Sequence, residues 1–380
     1  MTREPGSEGI IPGKEQRRSE ESHSGATGQG ASSPLTSAAT TDAAARSVSS
    51  GNTPIKPPVF ILGSPRSGTS YLYHLLLSAG GFAQFRTQMN VYDVLEPIYG
   101  DLGVWRHKKT MMREWLRSKA FSASGLEAAE IESKVLAECR SAGDFLRIVM
   151  DETARKQNVD RWIDSTPTNV PHILRIRADF PEARFIHIIR DGRDVALSLD
   201  KRGWSRPLPW DKRNSLLAAG LYWEWIVRKG RRLGAQLGGQ YLEIRYEALV
   251  NEPRETLARV GRFIGRDLDY DRIRQVRIGS VKRPLTAFQD DLARGEFAPV
   301  GRWKSAFPPQ QLAWFEGLVG NYLHELGYSL ANPSAAANHR LAVARMRFVY
   351  GAYHEAKQWA KVHTRISRFA VNYSAILIDK

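Results

Sequence analysis

Val59-Phe60-Ile61-Leu62-Gly63-Ser64-Pro65-Arg66-Ser67-Gly68-Thr69-Ser70 opens the ordered part of the chain. Four apolar residues end at a glycine, and so short a run bounded by turn residues predicts a buried parallel strand. From Thr69 the pattern becomes helical. Tyr71, Leu72, Leu75, Leu76 and Ala79 recur at helical spacing, and Gly80-Gly81 stop the run. The unit is therefore strand, loop, helix. Gly68 lets the loop backbone curl close to an anion. The unpaired N–H groups at the helix start point at that anion, and the helix dipole reinforces them. Thr69 and Ser70 add hydroxyl donors, and Arg66 adds a permanent charge with a fork of donors suited to phosphate or sulfate.

The spacing from Gly63 to Gly68 matches the nucleotide-binding pattern G-x-x-x-x-G-K-[ST], but Thr69 stands where that pattern has lysine. The basic group has moved inside the loop, to Arg66. This predicts a phosphate cradle that is not built for ATP hydrolysis.

Further strands and helices follow in alternation. Trp162-Ile163-Asp164 predicts a strand with a turn at Ser165-Thr166-Pro167. Val170 to Phe180 predicts a helix, Phe185 to Ile189 a second strong strand, and Arg193 onward another helix. A Trp-rich helix runs from about Asn214 to Arg232, Tyr241–Ile244 is a strand, and a helix covers about Pro253 to Ile264. Two or three amphipathic helices are expected over residues 105–155. The order predicts an α/β, P-loop-like three-layer fold: a central parallel sheet with helices on both faces. Ligands of such folds sit at the carboxyl ends of the strands.

Arg190 directly follows the Phe185–Ile189 strand, so it lies at that strand's carboxyl end, on the same edge as the first loop. Ser198 comes two helical turns later, and the pair can close on one phosphate. Arg193, Lys201 and Arg202 thicken the positive field. Asp191 and Asp194 are expected to cap and pair locally rather than bind metal, since a carboxylate is favoured in a helix's first turn. His187, within the strand, is expected in the core.

Composition bounds the partners. The 380 residues carry 55 Lys+Arg against 40 Asp+Glu, a formal charge of +15, which favours an anionic partner. The aromatic residues read as core rather than as a stacking platform, which argues against nucleic acid. Cys139 is the one cysteine, so no intramolecular disulfide or thiolate metal cluster forms; it reads as a small buried hydrophobe. One cysteine suits a reducing compartment, no apolar run reaches about 18 residues, and no signal-peptide core is present, so a soluble, cytoplasmic protein is expected. Residues 1–55 are rich in Ser, Gly, Thr, Ala and Glu and are expected to form a disordered tail. The folded domain is expected over 56–332 and a basic helical extension over 333–380. In that extension Leu341, Phe348, Trp359, Val362, Ile366 and Phe369 make an apolar side among Arg340, Arg345, Arg347, Lys357, Lys361, Arg365 and Arg368. Packing on its own domain is the expected role, with peripheral membrane contact through 335–370 as the alternative.

At this point the residues resemble the PAPS-dependent sulfotransferase superfamily (PAPS is 3′-phosphoadenosine-5′-phosphosulfate). Gly63–Ser70 resembles its 5′-phosphosulfate loop, and Ile189-Arg190-Asp191-Gly192-Arg193-Asp194-Val195 with Ser198 resembles its 3′-phosphate motif. Tyr241–Val250 and Val300-Gly301-Arg302-Trp303-Lys304 are similar to two later segments. The resemblance spans roughly residues 57–330. It implies transfer of a sulfuryl group from PAPS, with PAP as product and no metal, to a hydroxyl or amine. Glycan, lipid, peptide and small-molecule acceptors all remain open, as does oligomeric state. It implies that Arg66, Ser67, Gly68, Thr69 and Ser70 hold the 5′-phosphosulfate, that Arg190 and Ser198 hold the 3′-phosphate, and that Arg202, Tyr246 and Arg302 touch the donor.

Two departures stand out. Gly192 replaces a proline that many relatives carry, a change expected to alter the turn little. Gln88 occupies the position where an acid is expected, and a neutral amide cannot take a proton. Glu96, Asp93 and His74 are the candidate bases, with Asp164 behind them, and Arg66 is the charge-stabilising group. The acceptor pocket is expected beneath 85–125 and 280–300, lined by Asp164, Thr166 and Thr168. The rival readings are a P-loop kinase, which would require Mg²⁺ and ATP, and a non-catalytic scaffold that binds PAP or another anion.

Overall fold

The computed structural model describes residues 54–85, 87–205, 207–279, 299–331 and 340–364. Residues 1–53, 280–298 and 365–380 lie outside the described residues, and with them fall the expected N-terminal tail, most of the 280–300 pocket roof, Ile366 and Phe369. Four parallel strands form one sheet in the order β2-β1-β3-β4: β1 (Val59–Leu62), β2 (Ile163–Asp164), β3 (Arg184–Ile189) and β4 (Tyr241–Arg245). β1 and β3 are central, and every residue of β1 is buried, which is why its sequence is apolar without alternation.

The pleat sends alternate residues into two cores. Phe60, Leu62, Phe185 and Ile189 face one, packed by α6 (Ala142–Lys156), α8 (Gly192–Lys201) and α9 (Ser215–Gly234). Val59, Ile61, Ile186, Ile188 and Ile244 face the other, covered by α1 (Thr69–Ala79), α11 (Pro253–Ile264) and α12 (Tyr270–Val276). Helices on both faces of a parallel sheet complete the expected three layers.

The segment over 105–155 holds more helix than the sequence suggested. α3 (Trp105–Trp115), α4 (Lys119–Ser124) and α5 (Ala128–Glu138) precede α6. Ser118 caps α4 by accepting from Phe121 N, a polar start within an apolar pattern that hides the break in sequence. Ahead of them a single π-helical turn, Val91–Leu95, runs into α2 (Glu96–Tyr99). Past β2, a 3₁₀ turn over Pro167–His172 leads into α7 (Ile173–Asp179). Cys139 is buried, and burial pushes its thiol up to about 11, so it is inert.

The chain then adds α10 (Tyr246–Asn251), α13 (Trp303–Ala306), α14 (Pro309–Glu325) and α15 (Arg340–His363). α15 packs against α9, but not through the side the sequence suggested. Val343, Met346, Val349, Tyr350 and Tyr353 face inward, while Leu341, Phe348, Trp359 and Val362 are exposed. Its rotation is set by polar ties. Arg347 donates to Glu224 (2.5 Å) and Leu318 O (2.6 Å), and Glu355 accepts from Trp225 Nε1 (2.7 Å). Among the described residues no helix is long and apolar enough to cross a membrane.

Candidate active site

The loop between β1 and α1 is held in a conformation that neutral packing would not choose. Gly68 caps α1 at φ +97°, and a Cβ there would stand 2.2 Å from Tyr246 Cδ2, so the Tyr246 ring closes directly on the loop backbone. Arg66 is left-handed at φ +72°, which costs a non-glycine residue on the order of 1–3 kcal/mol. Arg190 offsets that cost in part by donating from a guanidinium N–H to Arg66 O at 3.1 Å. Ser67 Oγ is buried and has no hydrogen-bond partner. Thr69 is buried at the first helical position, and Ser70 is exposed beside it.

The two anion motifs meet in space. Arg66 Nε donates to Ser198 Oγ on α8 at 2.9 Å. Arg190 reaches Pro299 O at 2.6 Å, lies 4.6 Å from the centre of the Tyr246 ring, and keeps a buried Nε with no partner. Asp194 Oδ2 is 3.7 Å from Arg190. Burial first, then the charges of Arg202 and Arg190, pull the Arg66 pKa below its ordinary value, with Tyr246 opposing. Arg302 is brought to the same edge by its neighbours, since Gly301 N and Trp303 N each donate to Asp194 at 2.9 Å. Positive charge and unpartnered donors thus collect at the carboxyl ends of β1 and β3, an arrangement that an anion stabilises.

Arg193 does not join this field. It is buried at 1% exposure, pairs with Asp191 (2.8 Å) and Glu316 (2.7 Å), and stacks 3.6 Å from the centre of the Trp303 ring. Its charge is spent inside the protein. Gly192 has a local reason. A Cβ there would meet the Trp223 ring at 2.5 Å, and Trp223 Nε1 donates to Arg190 O at 3.1 Å. The absence of a side chain lets the indole support the arginine that follows β3.

The candidate bases separate. Glu96 accepts from Arg175 at 3.0 Å in a half-exposed ion pair. Asp93 is buried, paired with Lys361 of α15 and 3.5 Å from His172 Nε2. Burial opposes its ionisation, but His172 and Lys361 outweigh burial and hold its pKa below the usual carboxylate range. It lines a cavity of about 290 Å³ that starts at Pro65 of the loop and includes Thr168. His74 lines a different cavity of about 360 Å³ with Ser70, Gln88 and Asp164. Asp164, at the end of β2, accepts from Thr166 N (3.0 Å) and Asn169 Nδ2 (2.9 Å), and burial raises its carboxyl to about 6. His187 is core, as its place in the strand suggested: it is fully buried against Tyr241 OH at 2.5 Å, and burial pushes its imidazole down to about 3. Sequence reasoning missed Trp204, whose ring centre lies 5.7 Å from the Arg66 guanidinium, and the pairing of Lys361 with Asp93. Trp204 follows Arg202 by two positions in a turn, and Lys361 is 268 residues from its partner.

Known proteins place the chain. No curated protein matches it in sequence. Among solved structures, the sulfotransferase domain from the curacin biosynthetic pathway superposes with a TM-score of 0.51 at 17% identity, over 73% of this chain and 99% of that one. The sulfotransferase domain of the Synechococcus PCC 7002 olefin synthase gives 0.48 at 20% identity, over 73% and 97%. Retinol dehydratase, solved with androsterone and PAP, gives 0.39 at 16% identity, over 74% and 85%. The first of these likenesses shows a shared fold. The sulfotransferase family model matches residues 57–270, more than half of the chain and including the loop, β3, α8 and β4, so this chain belongs to the sulfotransferase family.

Proposed function

We propose that the protein transfers a sulfuryl group from PAPS to the hydroxyl or amine of an acceptor. The observation that carries this reading is the convergence of Arg66, Arg190 and Ser198, with the buried donors of Ser67 Oγ and Arg190 Nε lacking partners. Two anionic groups one nucleotide apart fit that pair of subsites. Ser67, Gly68, Thr69 and Ser70 would hold the 5′-phosphosulfate and Arg190 with Ser198 the 3′-phosphate. Tyr246, Arg202 and Arg302 would flank the nucleotide. The donor supplies an activated sulfuryl group on a phosphate leaving group. Arg66 and the N–H groups at the start of α1 would stabilise charge on the leaving oxygen, where preorganised donors are worth most. The single buried Cys139 supports a cytoplasmic setting.

Asp93 is the base this reading favours. Its carboxylate is held ionised, and it lines the cavity that begins at Pro65, next to Arg66. Transfers with loose transition states ask little of a base, so a weak one in place suffices. Asp164 is the second candidate, favoured by a carboxyl raised to about 6 and by its place in the cavity beside Ser70.

Calorimetric titration with PAP, and separately with ADP and Mg²⁺, tests the donor reading. Micromolar PAP binding that Arg190→Ala weakens about 10- to 100-fold is the expected result. Tight, Mg²⁺-dependent ADP binding with indifference to PAP would overturn it.

A further inference from the structure

α15 lies beyond the residues that the family model matches, yet it walls the cavity that opens at the loop. Its docking is specific. Besides the ties of Arg347 and Glu355, Tyr350 OH donates to Asp211 at 3.0 Å and accepts from Leu208 N at 3.2 Å, and Lys361 pairs with Asp93. These contacts turn one face of the helix over the space between Pro65, α9 and the turn that follows α8.

Rings make up much of the wall of that space, beside aliphatic residues and the charged Asp93, Lys357 and Lys361. Trp204 stands at the loop end, beside Arg66. Deeper in, His354 lies 5.5 Å from Tyr222, 5.2 Å from Trp225 and 5.3 Å from Tyr353, centre to centre. Two polar atoms in this aromatic surround are buried without partners: His354 Nε2 and Ser205 Oγ. A buried polar atom left unpaired is costly, and a ligand that supplies its partner recovers that cost. Burial and the nearby Lys357 push the His354 imidazole down to about 4, so it meets a ligand as a neutral ring. A neutral imidazole can share a hydrogen bond with a hydroxyl or carbonyl, and Lys357 and Lys361 bring positive charge to the same wall. About 290 Å³ lies at the low end for ligand pockets, enough for one or two rings and too little for a polymer segment.

We propose that α15 completes the acceptor site, and that this site takes small, flat alcohols or phenols. The reacting hydroxyl would lie at the Pro65 end, and a second polar group would be read by His354 Nε2 and Ser205 Oγ. The proposal rests on the sulfotransferase reading above. In the transfer, an acceptor O–S bond forms as the S–O bond to the 5′-phosphate breaks. The phosphate leaves with the electron pair as PAP, and the acceptor proton passes to the Asp93 carboxylate.

The test uses the full chain with 2-naphthol, 2,7-dihydroxynaphthalene and N-acetylglucosamine. Equilibrium dialysis measures binding without a donor, and transfer from labelled PAPS measures turnover. Both naphthols are expected to bind and be sulfated, and the sugar is not. Ala219→Phe, which fills the cavity, is expected to weaken both naphthols about tenfold or more, with PAP affinity within about twofold of the parent. His354→Leu and, independently, Ser205→Ala are expected to weaken the dihydroxy probe about fivefold and 2-naphthol far less. Naphthol binding and turnover indifferent to all three substitutions, in chains that still bind PAP, would overturn the inference, as would preference for the sugar. Failure to bind PAP with naphthol binding intact and sensitive to Ala219→Phe would instead overturn the donor reading and remove the acceptor role, leaving a ligand cavity.

Discussion

Arg66 Nε donates to Ser198 Oγ across 2.9 Å, joining the loop after β1 to α8 over 132 residues of sequence. The hydroxyl orients the guanidinium before any ligand arrives. If Ser198 also holds the 3′-phosphate, its loss should be felt only by ligands that carry that group. Ser198→Ala is expected to weaken PAP about fivefold to tenfold, from roughly 1 kcal/mol for one hydrogen bond, and AMP by less than about twofold. Calorimetry with the two nucleotides checks this, and equal losses for both would refute the assignment.

Arg190 donates to Arg66 O and Pro299 O while its Nε stays unpartnered, so on the proposed reading it serves the loop and the ligand together. Arg190→Ala should therefore lower both PAP affinity and Tm. The affinity loss is expected at about 10- to 100-fold, the range for hydrogen bonds to charged groups. Arg190→Lys should recover little, since one ammonium cannot replace a planar fork aimed at two carbonyls. A lysine variant with parental affinity would show that charge alone matters.

Gly192 is predicted to resist the proline that many relatives carry. A Cβ at 192 would meet Trp223 at 2.5 Å, and Trp223 in turn holds Arg190 O. Gly192→Ala and Gly192→Pro are each expected to cost about 1–3 kcal/mol, the usual range for overpacking. Thermal unfolding measures it, and an unchanged Tm would show that the indole moves aside freely.

The two candidate bases predict opposite pH behaviour. Asp164 has its carboxyl raised to about 6, so the folded state binds its proton more tightly than the unfolded chain. Its contribution is most favourable at low pH, declines as pH rises from the ordinary carboxylate value to about 6, and stays unfavourable above. Asp164→Asn is therefore expected to raise Tm at about pH 7.5 and to do so less at about pH 4.5. Asp93 is held below the usual range, so it stabilises above its unfolded value and that stability is lost as pH falls through the folded one. Lys361→Ala should lower Tm at neutral pH and shift the acid limb of activity upward if Asp93 is the base. A limb centred near 6 and unmoved by Lys361→Ala would assign the base to Asp164.

By itself the sequence determined the parts whose meaning is local. Val59–Ser70 spells strand, loop and helix in one continuous stretch, and Arg190 with Ser198 is placed by the strand before and the helix after it. The places of both motifs were legible because strand ends and helix starts are set by neighbours within a few residues. What only the tertiary structure decided was the environment of each charge. Arg190 and Arg193 stand three positions apart and look alike in sequence, yet Asp191 and Glu316 neutralise one while the other keeps an unpartnered donor at the sheet edge. Asp93 and Asp164 differ in the same way, one held below the usual carboxylate range by His172 and Lys361, the other raised to about 6 by burial. The inward face of α15 was hidden too, because the ties that choose it reach Glu224, Asp211 and Asp93, far away in the chain. Electrostatics and burial sum over everything nearby in space, and the partners that set them here lie up to 268 residues apart.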